Sequence, residues 1–131
     1  TVLAVSFAPL DTGLLVDEID RKAMAERNEA VPTPGAGEEK ARPLVACGVT
    51  LPGHVTEIRD DQGRPLPERR IGRIYVKGPS VMAGYFRMPE KTVEAWRNLW
   101  FHTGDAGRFD DAGRLHFVDR IKDAIRRLVE F

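Results

Sequence analysis

Short apolar runs separated by turn-forming clusters recur along the chain, a rhythm of strands and tight turns more than of long helices. The opening TVLAVSFAPL, apolar with β-branched and aromatic members, reads as a buried strand or its exit, and Asp11, Thr12 and Gly13 supply a turn. LLVDEIDRKAMAERNEAV looks partly helical, and its polar density suits a short surface helix. VPTPGAGEEKARP, with three prolines and two glycines in thirteen residues, is the clearest loop. HVTEIRD alternates imperfectly as a strand, followed by a hairpin-type turn at Asp60, Asp61, Gln62 and Gly63. Its prolines keep RPLPERR out of a central strand. IGRIYVKG is the strongest strand, with Ile71, Ile74 and Val76 expected on one face and Tyr75 packed or at a rim. PEKTVEAWRN, residues 89–98, predicts a short helix: Pro89 sits where a missing N–H costs nothing, and Glu90 favours the positive end. A strand pair, from about Gly104 to Phe109 and from Arg114 to Val118, flanks a tight turn at DDAG. RIKDAIRRLVEF suits a final helix, and no internal repeat is expected. The pattern predicts a mainly β (α+β) fold: a small twisted antiparallel sheet or distorted β-barrel with short peripheral helices, not a Rossmann unit.

Composition narrows the function classes. The 131 residues are enough for one core but not for two full-sized domains. With 20 Lys+Arg against 20 Asp+Glu the chain lacks the positive footprint of a general nucleic-acid binder, although local basic patches remain. A hydrophobic share of 42% rules out a charged, disordered tail. No apolar run approaches the roughly 20 residues needed to span a bilayer. Cys47 is the single cysteine, which excludes an internal disulfide and any multi-cysteine metal site and makes a reducing, cytoplasmic setting the simpler expectation. His54, His102 and His116 are scattered without metal-ligand spacing, so no metal site is expected. Ser6 and Ser80 lack the setting of a hydrolase nucleophile, and GPSVMAGYF has two glycines but not the P-loop pattern. The chain begins at Thr1 and stops inside a helix-like segment, so a fragment is expected.

Two segments carry candidate chemistry. In WFHTGD, residues 100–105, large aromatics anchor a small polar turn from which Asp105 can present its carboxylate. A carboxylate accepts two hydrogen bonds and suits a vicinal diol such as ribose; an ordinary Asx-type turn between strands is the plainer alternative. In VDRIKDAIRR, residues 118–127, Arg120 ends a strand and can reach an anionic or hydroxylated ligand. Lys122 faces elsewhere, and Arg126 and Arg127 extend the positive patch, which reads equally as a solvated charge run. A nucleic-acid surface fits less well, because no aromatics interleave at stacking positions.

Taken in order, CGVTLPGHVTEIRDDQGRPLPERRIGRIYVKGPSVMAGYFRMPEKT and WFHTGDAGRFDDAGRLHFVDRIKDAIRR resemble the adenylate-forming superfamily of acyl-CoA synthetases, fatty acyl-AMP ligases, luciferases and peptide-synthetase adenylation domains. The resemblance covers about residues 46–127 and is nearest to the fatty acyl-AMP ligases. It implies an enzyme that uses ATP and Mg²⁺ to activate a fatty acid or other carboxylic acid as acyl-AMP. The acyl group then passes to a thiol, either CoA or the phosphopantetheine of an acyl carrier protein. It further implies that Asp105 holds the ribose hydroxyls, that Arg120 lies near the ribose and phosphate, and that Lys122 is the hinge of a smaller C-terminal domain. Residues 1–43 would be a strand exit and an insertion-like helix and loop, 44–118 a β-barrel-like subdomain, and 119–131 the hinge. The phosphate-binding loop, the Tyr-Gly-x-x-Glu motif and the C-terminal lysine of the family lie outside this stretch, and Val129 stands where glycine is expected. An isolated fragment would therefore be inactive and prone to self-association. The rival reading is a non-catalytic β-rich interaction module whose basic patch combines Arg120, Lys122, Arg126 and Arg127.

Overall fold

A computed structural model of the chain describes residues 5–81, 86–97 and 100–121. Among these the order is β1 (Ser6–Phe7), β2 (Val16–Asp20), α1 (Arg21–Arg27), β3 (Ala41–Val45), β4 (Val49–Thr50), β5 (Val55–Arg59), β6 (Gly72–Lys77), α2 (Pro89–Ala95), β7 (Trp96–Arg97), β8 (Trp100–Phe109) and β9 (Leu115–Arg120). All pairing between these strands is antiparallel, as expected of a mainly β fold, and the strands do not close into a barrel. No helix among the described residues is long and apolar enough to cross a membrane.

β8 organises the main sheet. Its one edge pairs with β6, and β6 pairs in turn with β5. Its other edge is shared: β7 takes the Trp100–Phe101 end, and β9 takes the Asp105–Phe109 end. Ile58, Ile74, Val76 and Leu115 project from these strands into one buried cluster. Removing each such side chain from water contributes roughly 1.5–3 kcal/mol. Gly107 lets β8 run close beneath this cluster: a Cβ there would sit 2.6 Å from Ile74 Cδ1 and 2.7 Å from the His116 carbonyl oxygen.

Several expectations are corrected. Of the stretch expected to be partly helical, Val16–Asp20 is strand, because it finds a ladder partner in Ala41–Val45 and turns Ile19 fully inward, and Arg21–Arg27 is the short helix. The helix begins only where the Asp20 carboxylate accepts the Ala23 N–H at 3.3 Å, and ends where Asn28 adopts φ 52. The tail of the proline-rich loop belongs to β3, where Pro43 lies on an edge strand. Ile71 precedes β6 and packs with Ile19, Ala30 and Leu44 in a second cluster, so it does not share the face of Ile74 and Val76. Of the opening run, only Ser6–Phe7 is strand among residues 5–10, and Phe7 is exposed. α2 stops at Ala95, because Trp96–Arg97 pairs with Trp100–Phe101. Of the expected final helix, Arg120 instead ends β9, where it pairs with Asp105, and apart from Ile121 the rest falls on residues 122–131, outside the described residues.

A short repeat that the hydrophobic pattern missed is present. DDQGR at 60–64 and DDAGR at 110–114 form the same turn. In each, the first aspartate's Oδ1 accepts two backbone N–H groups, Gln62 and Arg64 at 2.9 Å or Ala112 and Arg114 at 2.9 and 3.0 Å. Its Oδ2 accepts the arginine Nε–H, at 3.0 Å and 2.8 Å respectively. Only in the second copy is the leading aspartate buried, and there His116 donates its Nε2–H to the same Asp110 Oδ2 at 2.9 Å.

β2 is fastened by charge as well as by packing. Asp17 Oδ2 accepts Arg108 Nη2 at 2.6 Å and Arg69 Nη1 at 2.7 Å. Arg108 is fully buried, and burial pulls its pKa down against the opposing attraction of Asp17.

Candidate functional site

The residues WFHTGD form one continuous strand, not a turn between strands. Its aromatic part is pinned on both sides. Phe101 lies in the core at 3% exposure, while the Arg59 guanidinium sits 4.8 Å over the Trp100 ring and 4.5 Å over Tyr75. Tyr75, fully packed, stacks on His102 at 4.9 Å with an interplanar angle of 15°. The backbone reaching Thr103 is therefore held from both faces.

Past that point the β6–β8 register breaks. Tyr75 pairs with His102, but Arg73 pairs with Ala106, so Ile74 alone faces Thr103, Gly104 and Asp105. This bulge needs a residue with positive φ, and Gly104 supplies it at +80°. The Thr103 hydroxyl donates to the Ile74 carbonyl at 2.9 Å and accepts the Asp105 N–H at 3.1 Å.

Asp105 lies directly across from Arg120 at the last register pair of β8 and β9. Arg120 Nε is 3.2 Å from Asp105 Oδ1, with the guanidinium 61% exposed and the carboxyl side chain 27% exposed. The contact is ionic and lacks hydrogen-bond geometry: Oδ1 is buried and accepts no hydrogen bond among the described residues. Burial pushes the Asp105 pKa above the ordinary carboxylate value, and Arg120 offsets this only in part. An under-donated carboxylate beside an exposed cation at the end of a strand pair is chemically suited to accept hydroxyl donors.

The structure thus brings Asp105 and Arg120 together, while Lys122, Arg126 and Arg127 lie outside the described residues. Sequence reasoning missed Thr103; the Thr-Gly pair ahead of an aspartate in a β-rich stretch was the available signal. No group of three or more His, Cys, Asp or Glu side chains suited to a metal occurs among the described residues. His54 and Ser80 are joined, Nε2 to Oγ at 2.7 Å, but Nε2 also accepts the Ser80 N–H at 3.2 Å, the arrangement of a turn clamp.

Known proteins of similar sequence and fold show the family of the chain. The profile of the AMP-binding enzyme family matches residues 24–86. A Caulobacter vibrioides protein assigned as an acyl-CoA synthetase is 44% identical over 124 residues, 94% of this chain and 21% of its own length. A fatty acid–[acyl-carrier-protein] ligase of Streptomyces coeruleorubidus is 39% identical over 99 residues, covering 75% of this chain and 19% of that protein. A solved structure from work on fatty acyl-adenylate ligases of E. coli and L. pneumophila superposes with a TM-score of 0.81 at 41% identity, over 92% of this chain and 21% of that one. The chain therefore spans about a fifth of the length of the relatives it matches. It belongs to the AMP-binding enzyme family, within the adenylate-forming superfamily.

Proposed function

We propose that this chain is the ribose-binding edge of an ATP-dependent acyl-activating enzyme. In that reaction a carboxylate oxygen attacks the α-phosphorus of ATP, pyrophosphate leaves, and an acyl-adenylate forms. A thiol then attacks the acyl carbonyl and AMP departs. The observation that carries the reading is the half-buried Asp105 carboxylate, which faces Arg120 and accepts no hydrogen bond at Oδ1 among the described residues. Arg120, mostly exposed, would turn toward the ribose and phosphate and uncover Oδ1, and two ribose hydroxyls would then supply the missing donors. Neither group is a nucleophile; both hold the nucleotide while other parts of the enzyme perform the chemistry. Lys122, two residues beyond Arg120, is the proposed hinge. The substrate is a fatty acid or another carboxylic acid, and the acceptor thiol belongs to an acyl carrier protein or to CoA, in keeping with the names of the relatives on both sides. Magnesium would accompany the ATP phosphates, and no described residue is assigned to it. A cytoplasmic location is part of the same reading. An interaction module built on the basic patch is not favoured, since the family and its relatives are ligases and synthetases.

The test compares ATP with 2′,3′-dideoxy-ATP in the enzyme containing this chain. Hydrogen bonds to a charged group contribute about 1.5–3 kcal/mol each, so the dideoxy analogue should bind more than tenfold more weakly. Asp105→Asn should erase most of that discrimination. If the variant still prefers ATP as strongly as the parent does, Asp105 is not the diol acceptor.

A further inference from the structure

The bulge in β8 leaves two backbone groups outside the regular ladder. Ile74 faces three residues of β8, so neither its carbonyl nor the Asp105 N–H lies in a register pair between β6 and β8. One hydroxyl satisfies both: Thr103 Oγ1 donates to the Ile74 carbonyl at 2.9 Å and accepts the Asp105 N–H at 3.1 Å. A hydroxyl has one proton to give and lone pairs to receive, so it can replace a direct N–H···O bond with a longer two-step bridge. The bridge holds open a gap that the ladder would otherwise close, and Gly104 at φ +80° makes that gap possible for the backbone.

The geometry points to Thr103 as the positioning residue that aims the Asp105 carboxylate at Arg120. The proposal rests on the ribose reading for its functional consequence, but its structural claim stands apart from it. Without the hydroxyl, Ile74 and Asp105 each lose a partner, and the low-energy repair is a direct bond between them. Such a repair flattens the bulge and turns the Asp105 side chain away from its position opposite Arg120. His102 and Phe101 stay anchored by stacking and by the core, so the change is confined to residues 103–105. Thr103 touches no nucleotide in this arrangement; it acts only through Asp105.

Valine matches threonine in shape and lacks the hydroxyl, whereas serine keeps it, so Thr103→Val and Thr103→Ser separate packing from hydrogen bonding. The first readout is amide hydrogen exchange at Asp105 in the full chain, followed by NMR together with the Asp105 carboxyl titration. Loss of a single hydrogen bond of about 1.4 kcal/mol corresponds to roughly tenfold faster exchange. Thr103→Val should show that acceleration and a changed Asp105 titration, with exchange at Val76 and Phe101 unaltered; Thr103→Ser should restore both. The second readout is the KM for ATP against the KM for the carboxylic acid in the enzyme containing this chain. Thr103→Val should raise the former about tenfold and leave the latter unchanged, with Thr103→Ser within about twofold of the parent. An Asp105 amide and titration unaffected by Thr103→Val, or a serine variant no better than the valine one, overturns the positioning role. If the NMR changes appear but Asp105→Asn also leaves ATP binding intact, the ribose reading fails and the positioning of Asp105 by Thr103 survives.

Discussion

Replacing Asp110 with asparagine removes one buried charge from a turn while preserving its shape. In the protein, the Asp110 carboxylate is 4% exposed and accepts four hydrogen bonds: Ala112 N–H at 2.9 Å, Arg114 N–H at 3.0 Å, Arg114 Nε–H at 2.8 Å and His116 Nε2–H at 2.9 Å. Asparagine keeps the oxygen that serves the two backbone groups, but its NH₂ then faces two donors. Two charge-assisted bonds of at least about 1.5 kcal/mol each are lost, about 3 kcal/mol together. A tautomer shift at His116, whose Nδ1 has no hydrogen-bond partner among the described residues, recovers at most one of them and leaves a loss of about 2 kcal/mol. With a urea slope of about 1.5 kcal/mol/M, the midpoint of denaturation at pH 7 should fall by roughly 1.3–2 M. Asp60→Asn is the internal control: the same turn lies at the surface without a histidine, so its midpoint should move far less.

The acid limb of the stability profile checks the same reasoning. Burial alone would raise the Asp110 pKa, but the hydrogen bonds from His116, Arg114 and Ala112 outweigh it and hold the carboxyl well below its ordinary value of 3.8. The stabilisation is therefore complete above about pH 3.8 and is lost as pH falls from there toward the folded value. Asp110→Asn should be less stable at pH 7 and should lose less on acidification. An Asp110→Asn midpoint matching that of Asp60→Asn, or an unchanged acid limb, would refute the assignment.

Other outcomes follow from the remaining charges. Asp17→Ala strands the fully buried Arg108 and should cost about 3–5 kcal/mol by urea denaturation; Asp17→Ala combined with Arg108→Met should recover more than half, and a single-variant loss below about 1 kcal/mol would contradict the pairing. Asp105 titrates in the opposite sense to Asp110. Its pKa is raised by burial, so ionisation opposes folding, and its contribution improves as pH falls through the folded value toward 3.8. Asp105→Asn should therefore be at least as stable as the parent at pH 7, with the difference vanishing below about pH 3.8, while ATP binding weakens; a clear loss of stability at neutral pH would show that the carboxylate serves the fold.

The alternation in IGRIYVKG, the turn residues at 60–63 and 110–113, and the order of the motifs made the sheet, its hairpin turns and the family legible from the amino-acid sequence. The alternation and the turns are local: each rests on residues within one turn or one strand length. Ile71 and VDEID were misread because both depend on partners far along the chain. Ile71 packs with Ile19 and Leu44, and VDEID becomes a strand only when Ala41–Val45 lies beside it. The same holds for the candidate site. The sequence singled out Asp105 and Arg120 by residue type and resemblance, fifteen residues apart. Tertiary pairing of β8 with β9 decided that they face one another at 3.2 Å. The Thr103 bridge to Ile74 spans 29 residues and arises from a register break that no periodicity encodes. A carboxylate's chemistry is written in the chain; its burial and shortage of donors exist only once distant strands are in register.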